Sequence, residues 1–126
     1  MSTTIPNPRV YSPGADITAQ ATAAVTARRF VAISGNRADR GNVSVAHASA
    51  GGRVFGVAKA DAATGELVGV ARDGVVKVHT AAAIAAFAEV EVGANGQAIT
   101  KASGTAVGYA ITGAASGTDA EIHLYA

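Results

Sequence analysis

The residues in this chain with reactive side chains are three histidines, two glutamates two positions apart, and a few serines beside glycines. His47, His79 and His123 are far apart, and none belongs to a His-x-His, His-Glu-x-x-His or Cys/His cluster of the kind that closes around a metal. No metal site is expected, and His79 and His123, beside or within apolar runs, are read as partly exposed or hydrogen-bonded strand residues. Glu89 and Glu91 would share one face of a strand, because side chains alternate with period two. Paired carboxylates are the working groups of a glycosidase, but a solvated strand face accounts for these two more simply. Ser34 precedes Gly35 and Ser116 precedes Gly117, with no Gly-x-Ser-x-Gly elbow to present a hydroxyl to a base. They are read as turn serines, so no catalytic residue is assigned and the chain is not expected to be an enzyme.

Binding chemistries are narrowed in the same way. The glycines form neither a Gly-x-Gly-x-x-Gly nor a Walker pattern, and no helix follows Gly51-Gly52 to hold an anion, so no cofactor is expected. Arg28-Arg29-Phe30 is a basic spot beside one ring, whereas a nucleic-acid groove needs several rings on a basic face. With 10 basic and 9 acidic residues, the chain has no charge footprint for nucleic acid. Residues 1–40 hold five Arg against two Asp, a weakly basic front end that reads first as scattered solvated charges and otherwise as suited to an acidic protein surface. There is no Cys, and hence no disulfide framework. The N-terminus lacks a charged segment followed by an apolar one, and the uncharged, alanine-rich stretch 78–88 is too short to span a bilayer. A soluble protein without a membrane partner is expected.

These residues sit on a text of short β-branched runs. Phe30 to Ile33, Val43 to Ala46, Val54 to Ala58, Leu67 to Val70, Val75 to Val78, Val90 to Val92, Gln97 to Thr100, Val107 to Ile111 and Glu121 to Tyr125 read as strands, separated by Gly/Asn/Asp/Ser turns. The fold class is therefore all-β, a small barrel or sandwich of short antiparallel strands. Asp73-Gly74 and Asn95-Gly96 read as hairpin turns, since both central positions of a type I′ turn need positive φ. Thr80 to Ala88 is rich in alanine, with Ala83, Ile84 and Phe87 on one helical face, so it reads either as one helical turn or as an irregular connection. Phe55-Gly56-Val57-Ala58 and Val107-Gly108-Tyr109-Ala110 share an apolar-Gly-apolar-Ala pattern, each followed by a Gly-bearing turn and an alternating strand. These two segments are expected to play similar structural roles.

All three prolines, Pro6, Pro8 and Pro13, fall in the first 16 residues. Fixed φ and missing donors make that segment an extended Pro-containing arm rather than a central strand. The expected organisation is an N-terminal arm over 1–16 and a single β domain over 17–126. The chain contains 31 alanines and no Trp. A core of such small side chains gains about 0.8 kcal/mol per buried CH₂, which favours further burial against a partner.

One ordered set of motifs carries a resemblance. It runs from Pro13-Gly14 with Asp16-Ile17-Thr18, through Ala24 to Ile33, Val54 to Glu66 and Gly74 to Val78, to Ala106-Val107-Gly108-Tyr109-Ala110. Its most specific piece is Gly56-Val57-Ala58 with Asp61-Ala62-Ala63-x-Gly65-Glu66. From about Pro13 to Leu124 the chain resembles the small tailed-phage head proteins that act as capsid decoration or cement proteins. The resemblance implies a structural virion protein, made in the host cytoplasm, that binds the capsid exterior beside the major capsid protein. It also implies a homotrimer at three-fold or quasi-three-fold positions that bridges capsomers. Ile5, Pro6, Arg9 and Tyr11 of the arm are the candidate capsid anchors. A β-module of a phage tail or fibre that binds a receptor or glycan is the alternative from a different class.

Overall fold

A computed structural model of the chain describes Pro8, Val10, Tyr11 and residues 14–125. Five strands, β1 (Asp16–Ala21), β2 (Phe30–Gly35), β3 (Val43–His47), β4 (Gly56–Ala58) and β5 (Leu67–Ala71), close a barrel in the order β1-β3-β2-β4-β5. Five more, β6 (Val75–His79), β7 (Glu89–Val92), β8 (Ala98–Thr100), β9 (Gly108–Ala110) and β10 (Asp119–Leu124), form a sheet in the order β6-β10-β9-β7-β8. The all-β expectation holds, and period-two alternation sets the faces. Ile17, Ala19 and Ala21 of β1 are buried while Asp16 and Thr18 are exposed.

The two halves are one motif used twice. Gln20 faces Leu67 as His79 faces Asp119, and Phe30 faces Val57 as Glu89 faces Tyr109. Val57 faces Ala71 as Tyr109 faces His123. The irregular parts repeat too. Val25 bridges Ala62 as Ile84 bridges Ala114, and the Arg28 N–H donates to Ala58 O (2.8 Å) as the Phe87 N–H donates to Ala110 O (2.7 Å). Arg28 and Phe87 both have positive φ, 59° and 67°. The shared Gly-bearing segments therefore occupy equivalent strands, β4 and β9. The sequence match extends further, to Ala58-x-x-x-Ala62-Ala63-Thr64-Gly65 and Ala110-x-x-x-Ala114-Ala115-Ser116-Gly117.

Two expectations about the strands need correction, and one open choice is decided. The strands are not all antiparallel: β1 pairs with β3 in parallel, Ala19 opposite Val43, and this pairing closes the barrel. The second half keeps only a single parallel bridge there, Thr80 to Ala98. Asp73-Gly74 does not make a hairpin, because β5 and β6 belong to different sheets and the turn carries the chain between halves. Asn95-Gly96 does make one, joining β7 to β8 with φ of 54° and 71°. Of the two readings of 80–88, the irregular connection is the one found. The Ala81, Ile84 and Phe87 amides donate to Ala98, Ala114 and Ala110 carbonyls, so tertiary bonds override a propensity too short to form a helix alone.

Two clusters make the core. Inside the barrel lie Ala19, Ala21, Val31, Val45, Val68 and Val70. The other crosses the joint, where Phe30 and Val57 of the barrel are buried with Val78, Val92, Ile122 and Leu124 of the second half. Glu91 also serves the joint. It is 5% exposed, so a solvated face is the wrong description of it. Its carboxylate accepts the Ala102 N–H and the Gly104 N–H (3.2 Å), holding the loop whose Thr105 N–H donates to Gly51 O (3.0 Å) of the first half. These backbone donors hold its pKa below the ordinary glutamate value.

Two predictions follow from this packing. A Cβ on Gly56 would lie 2.5 Å from both Ala71 O and Val70 Cγ1, and one on its counterpart Gly108 would crowd the His123 carbonyl. Gly56→Ala and Gly108→Ala should each cost about 1–3 kcal/mol in denaturant unfolding. Because its native pKa is depressed, Glu91 stabilises the fold fully above its unfolded value of about 4.3 and loses that effect as pH falls through the native value. The thermal transition of the wild type should therefore fall more steeply below pH 4.3 than that of Glu91→Gln. Parallel curves would refute the assignment.

Candidate functional site

The groups with reactive chemistry are dispersed by the fold. His47 Nε2 accepts the Thr26 N–H (3.0 Å), and burial together with the nearby Arg29 charge lowers its pKa. His79 Nδ1 lies 3.5 Å from Asp119, and the His123 ring stacks on Tyr109. Glu89 accepts the Tyr125 hydroxyl at 2.8 Å, a bond to the carboxylate that raises the Tyr125 pKa. Glu89 and Glu91 do share a face, but one is bound to a tyrosine and the other to a loop, so they do not flank a common space. Among the described residues, no group of three His, Cys, Asp or Glu side chains could hold a metal ion. Among them also, no helix is long and apolar enough to cross a membrane.

Two surfaces remain. The first is the root of the arm. Ile5, Pro6 and Arg9 lie outside the described residues, and Tyr11 is the one candidate anchor that can be placed. Its hydroxyl accepts from Arg37 Nη1 at 3.2 Å, with the guanidinium 5.8 Å from the ring centroid. The chain then enters the barrel through the Arg72 N–H, which donates to Ala15 O at 2.8 Å. The Arg72 guanidinium lies 4.5 Å over the Phe55 ring. Arg53, Phe55 and Arg72 of the first half and Thr105, Val107 and Tyr125 of the second line a groove at the joint.

The second surface is the outer face of the β10-β9-β7 region, which sequence reasoning missed. Tyr109 is its centre. Phe87 meets it edge-on at 5.3 Å, His123 stacks at 5.0 Å, and Tyr125 is tilted at 6.1 Å. Three of the six aromatic side chains in the chain thus gather on one face, with Val75, opposite His123 in the same sheet, and Ile111, just past β9, also exposed. Phe87 is 79% exposed and has φ of 67°, a conformation that opposes an L side chain by about 1–2 kcal/mol. A large apolar ring held in strained backbone and in water marks a contact surface. The signal was present in the sequence, since aromatics are scarce, but finding it needs the β9–β10 register that sets Tyr109 opposite His123.

Among the described residues, the basic arm root and the exposed aromatic face are the two surfaces whose chemistry suits contact with other proteins. Residues 11–125 match the family model described as phage cement protein. The fold matches the crystal structure of the head fiber gp8.5 N base of bacteriophage phi29, with a TM-score of 0.75 and 25% identity. That match covers 87% of this chain and 92% of the other. No curated protein sequence matches the chain.

The chain belongs to the phage cement protein family. It is a structural decoration protein of the phage head, associated with the capsid in the virion.

The strain at Phe87 makes a prediction. Phe87→Gly relieves the left-handed backbone and removes an exposed ring, so folding stability should hold or rise by up to about 1 kcal/mol despite the freer unfolded chain. Measured at a dilution where the chain is monomeric, so that loss of subunit association cannot lower it, a drop of several degrees in the thermal transition would show that Phe87 serves the fold instead of a contact.

Proposed function

We propose that this chain attaches to the outer surface of the assembled head through its N-terminal arm and the adjoining arginine groove, and stiffens the shell by bridging neighbouring capsomers. The observation that carries this reading is the continuity of the two parts. Arg72 both receives the entering chain through its backbone and stacks over Phe55 in the groove, so an arm lying on the shell brings Arg53 and Arg72 down with it. Ile5, Pro6, Arg9 and Tyr11 supply apolar and cationic contacts, and an extended Pro-bearing segment fits along a capsid strand edge. The major capsid protein is the partner, through an acidic, partly apolar patch. The decorating species is a homotrimer at three-fold or quasi-three-fold positions.

No bond chemistry is involved. Several modest contacts, linked on one particle, add through effective concentration. On this reading the chain has neither catalytic activity nor a nucleic-acid partner, in keeping with the family match.

The test is co-sedimentation with shells that lack this protein. Added wild-type protein should saturate the shells, and deletion of residues 1–12 should weaken attachment by at least about tenfold, roughly 1.4 kcal/mol. The free protein's thermal transition should stay within a few degrees after that deletion. Arg53→Glu should also weaken attachment, and the loss should shrink as salt is raised. Undiminished attachment of the arm-deleted chain would overturn the arm's role, and no attachment of wild type would overturn the reading itself.

A further inference from the structure

The two halves of the chain meet through surfaces that are not equivalent. The first half offers Arg28, Arg29, Phe30 and Val57. The second offers the end of β6, the β7–β8 turn and the start of β10. The His79 N–H donates to Arg28 O (2.8 Å), Arg28 Nη1 pairs with Asp119 Oδ2 (2.7 Å), and Arg29 Nη1 donates to Asn95 O (3.1 Å). Phe30 and Val57 are buried in one cluster with Val92.

Because the motif is duplicated, each of these residues has a counterpart on the other half. The matched registers put Phe87 where Arg28 stands, Glu89 for Phe30 and Tyr109 for Val57. On the first half they put Gln20 for His79, Leu67 for Asp119 and Ile33 for Val92. The counterparts are open on both sides, with Phe87 79%, Leu67 46% and Ile33 52% exposed. The substitution pattern is informative. The ion pair Arg28–Asp119 that joins the halves corresponds to Phe87 and Leu67, two apolar side chains that have no cover in the single chain. An exposed charged pair at those positions would need no partner, whereas an apolar pair gains by burial.

We infer that a second copy of this chain covers the aromatic face: Phe87 and Tyr109 of one molecule receive Leu67 and Ile33 of the next, repeating between molecules the contact that joins the two halves within each. Such an interface is head-to-tail, and it forms a closed ring when its rotation closes. The inference rests on the reading of the decorating species as a homo-oligomer and specifies the surface that builds it. The arginine groove and the arm remain for the shell.

The chain has no Cys, so cross-linking is clean. In a head-to-tail contact Leu67 meets Phe87 of a neighbour, so Leu67→Cys with Phe87→Cys in one chain should oxidise to covalent oligomers, while either single variant should stay uncross-linked. Sedimentation of the free protein gives the second readout. Phe87→Arg and Leu67→Asp should each dissociate the oligomer, and the two together should restore it by transplanting the Arg28–Asp119 pair to the intermolecular contact. Circular dichroism confirms that each variant is folded.

A wild-type oligomer that neither single charge variant disturbs would overturn this face and leave the oligomer reading standing. A disulfide dimer from Phe87→Cys alone would show a face-to-face contact and overturn the head-to-tail arrangement. A wild-type chain that stays monomeric in solution and on shells would overturn both. None of these outcomes bears on the shell attachment measured separately by co-sedimentation.

Discussion

The packing of Phe30 is the interaction on which the arrangement of the two halves depends. β2 alternates, so Val31 points into the barrel while Phe30 points out of it. The ring is fully buried, in the cluster that holds Val78, Val92 and Ile122 of the second half. Burying a Phe is worth about 1.5–3 kcal/mol, a large single contribution where most of the core is Ala and Val. Its carbonyl accepts the Ala48 N–H at 2.9 Å, so the strand and the loop after β3 are fixed by the same residue. In the second half Glu89 occupies the matching place. There the strand face that is core in the first half is surface, bonded to Tyr125 and bordered by Phe87 and Tyr109. One Phe-to-Glu difference between repeats thus separates the face that joins the halves from the face left for something else.

Much of the fold was legible from turn chemistry and period-two patterning. Asn95-Gly96 adopts the positive φ values that such a pair supplies without strain, and Val75 to Val78 and Glu121 to Leu124 fall in strands as their alternation requires. What failed did so where tertiary context decides. Asp73-Gly74 has hairpin chemistry, but its flanking strands find better partners in different sheets, β1 and β4 for β5, and β10 for β6. Glu91 reads as surface because its burial comes from the 102–104 loop folding over it, which no local pattern encodes. The duplication was visible only as an echo around Gly56 and Gly108. Those glycines are tied to close backbone approach, while other equivalent positions, such as Arg28 and Phe87 or Asp119 and Leu67, differ in chemistry: Arg28 and Asp119 form an ion pair across the joint, and Phe87 and Leu67 are exposed apolar side chains.

The candidate site was less legible than the fold. Of the four arm residues singled out by sequence, only Tyr11 can be placed, against Arg37. The aromatic face assembles from Phe87 just before β7, Tyr109 of β9, His123 of β10 and Tyr125 just after β10, positions that sequence distance keeps apart. A head decoration protein needs a surface for the shell, and an oligomeric one needs a second surface for its own copies. On the inference drawn above, a duplicated β unit provides both, because the contact that welds its halves has an exposed counterpart, Phe87 with Leu67, at its ends. The small-residue core fits the same picture, since association on a lattice adds burial that the isolated chain lacks.

On the proposed reading, the chain strengthens the head by bridging its capsomers. The most direct measurement is the disruption temperature of shells lacking this protein, recorded with increasing amounts of it added back. Bridging predicts a transition that rises with occupancy and levels off when the sites are filled. A protein that binds to saturation and leaves that temperature unchanged would contradict it.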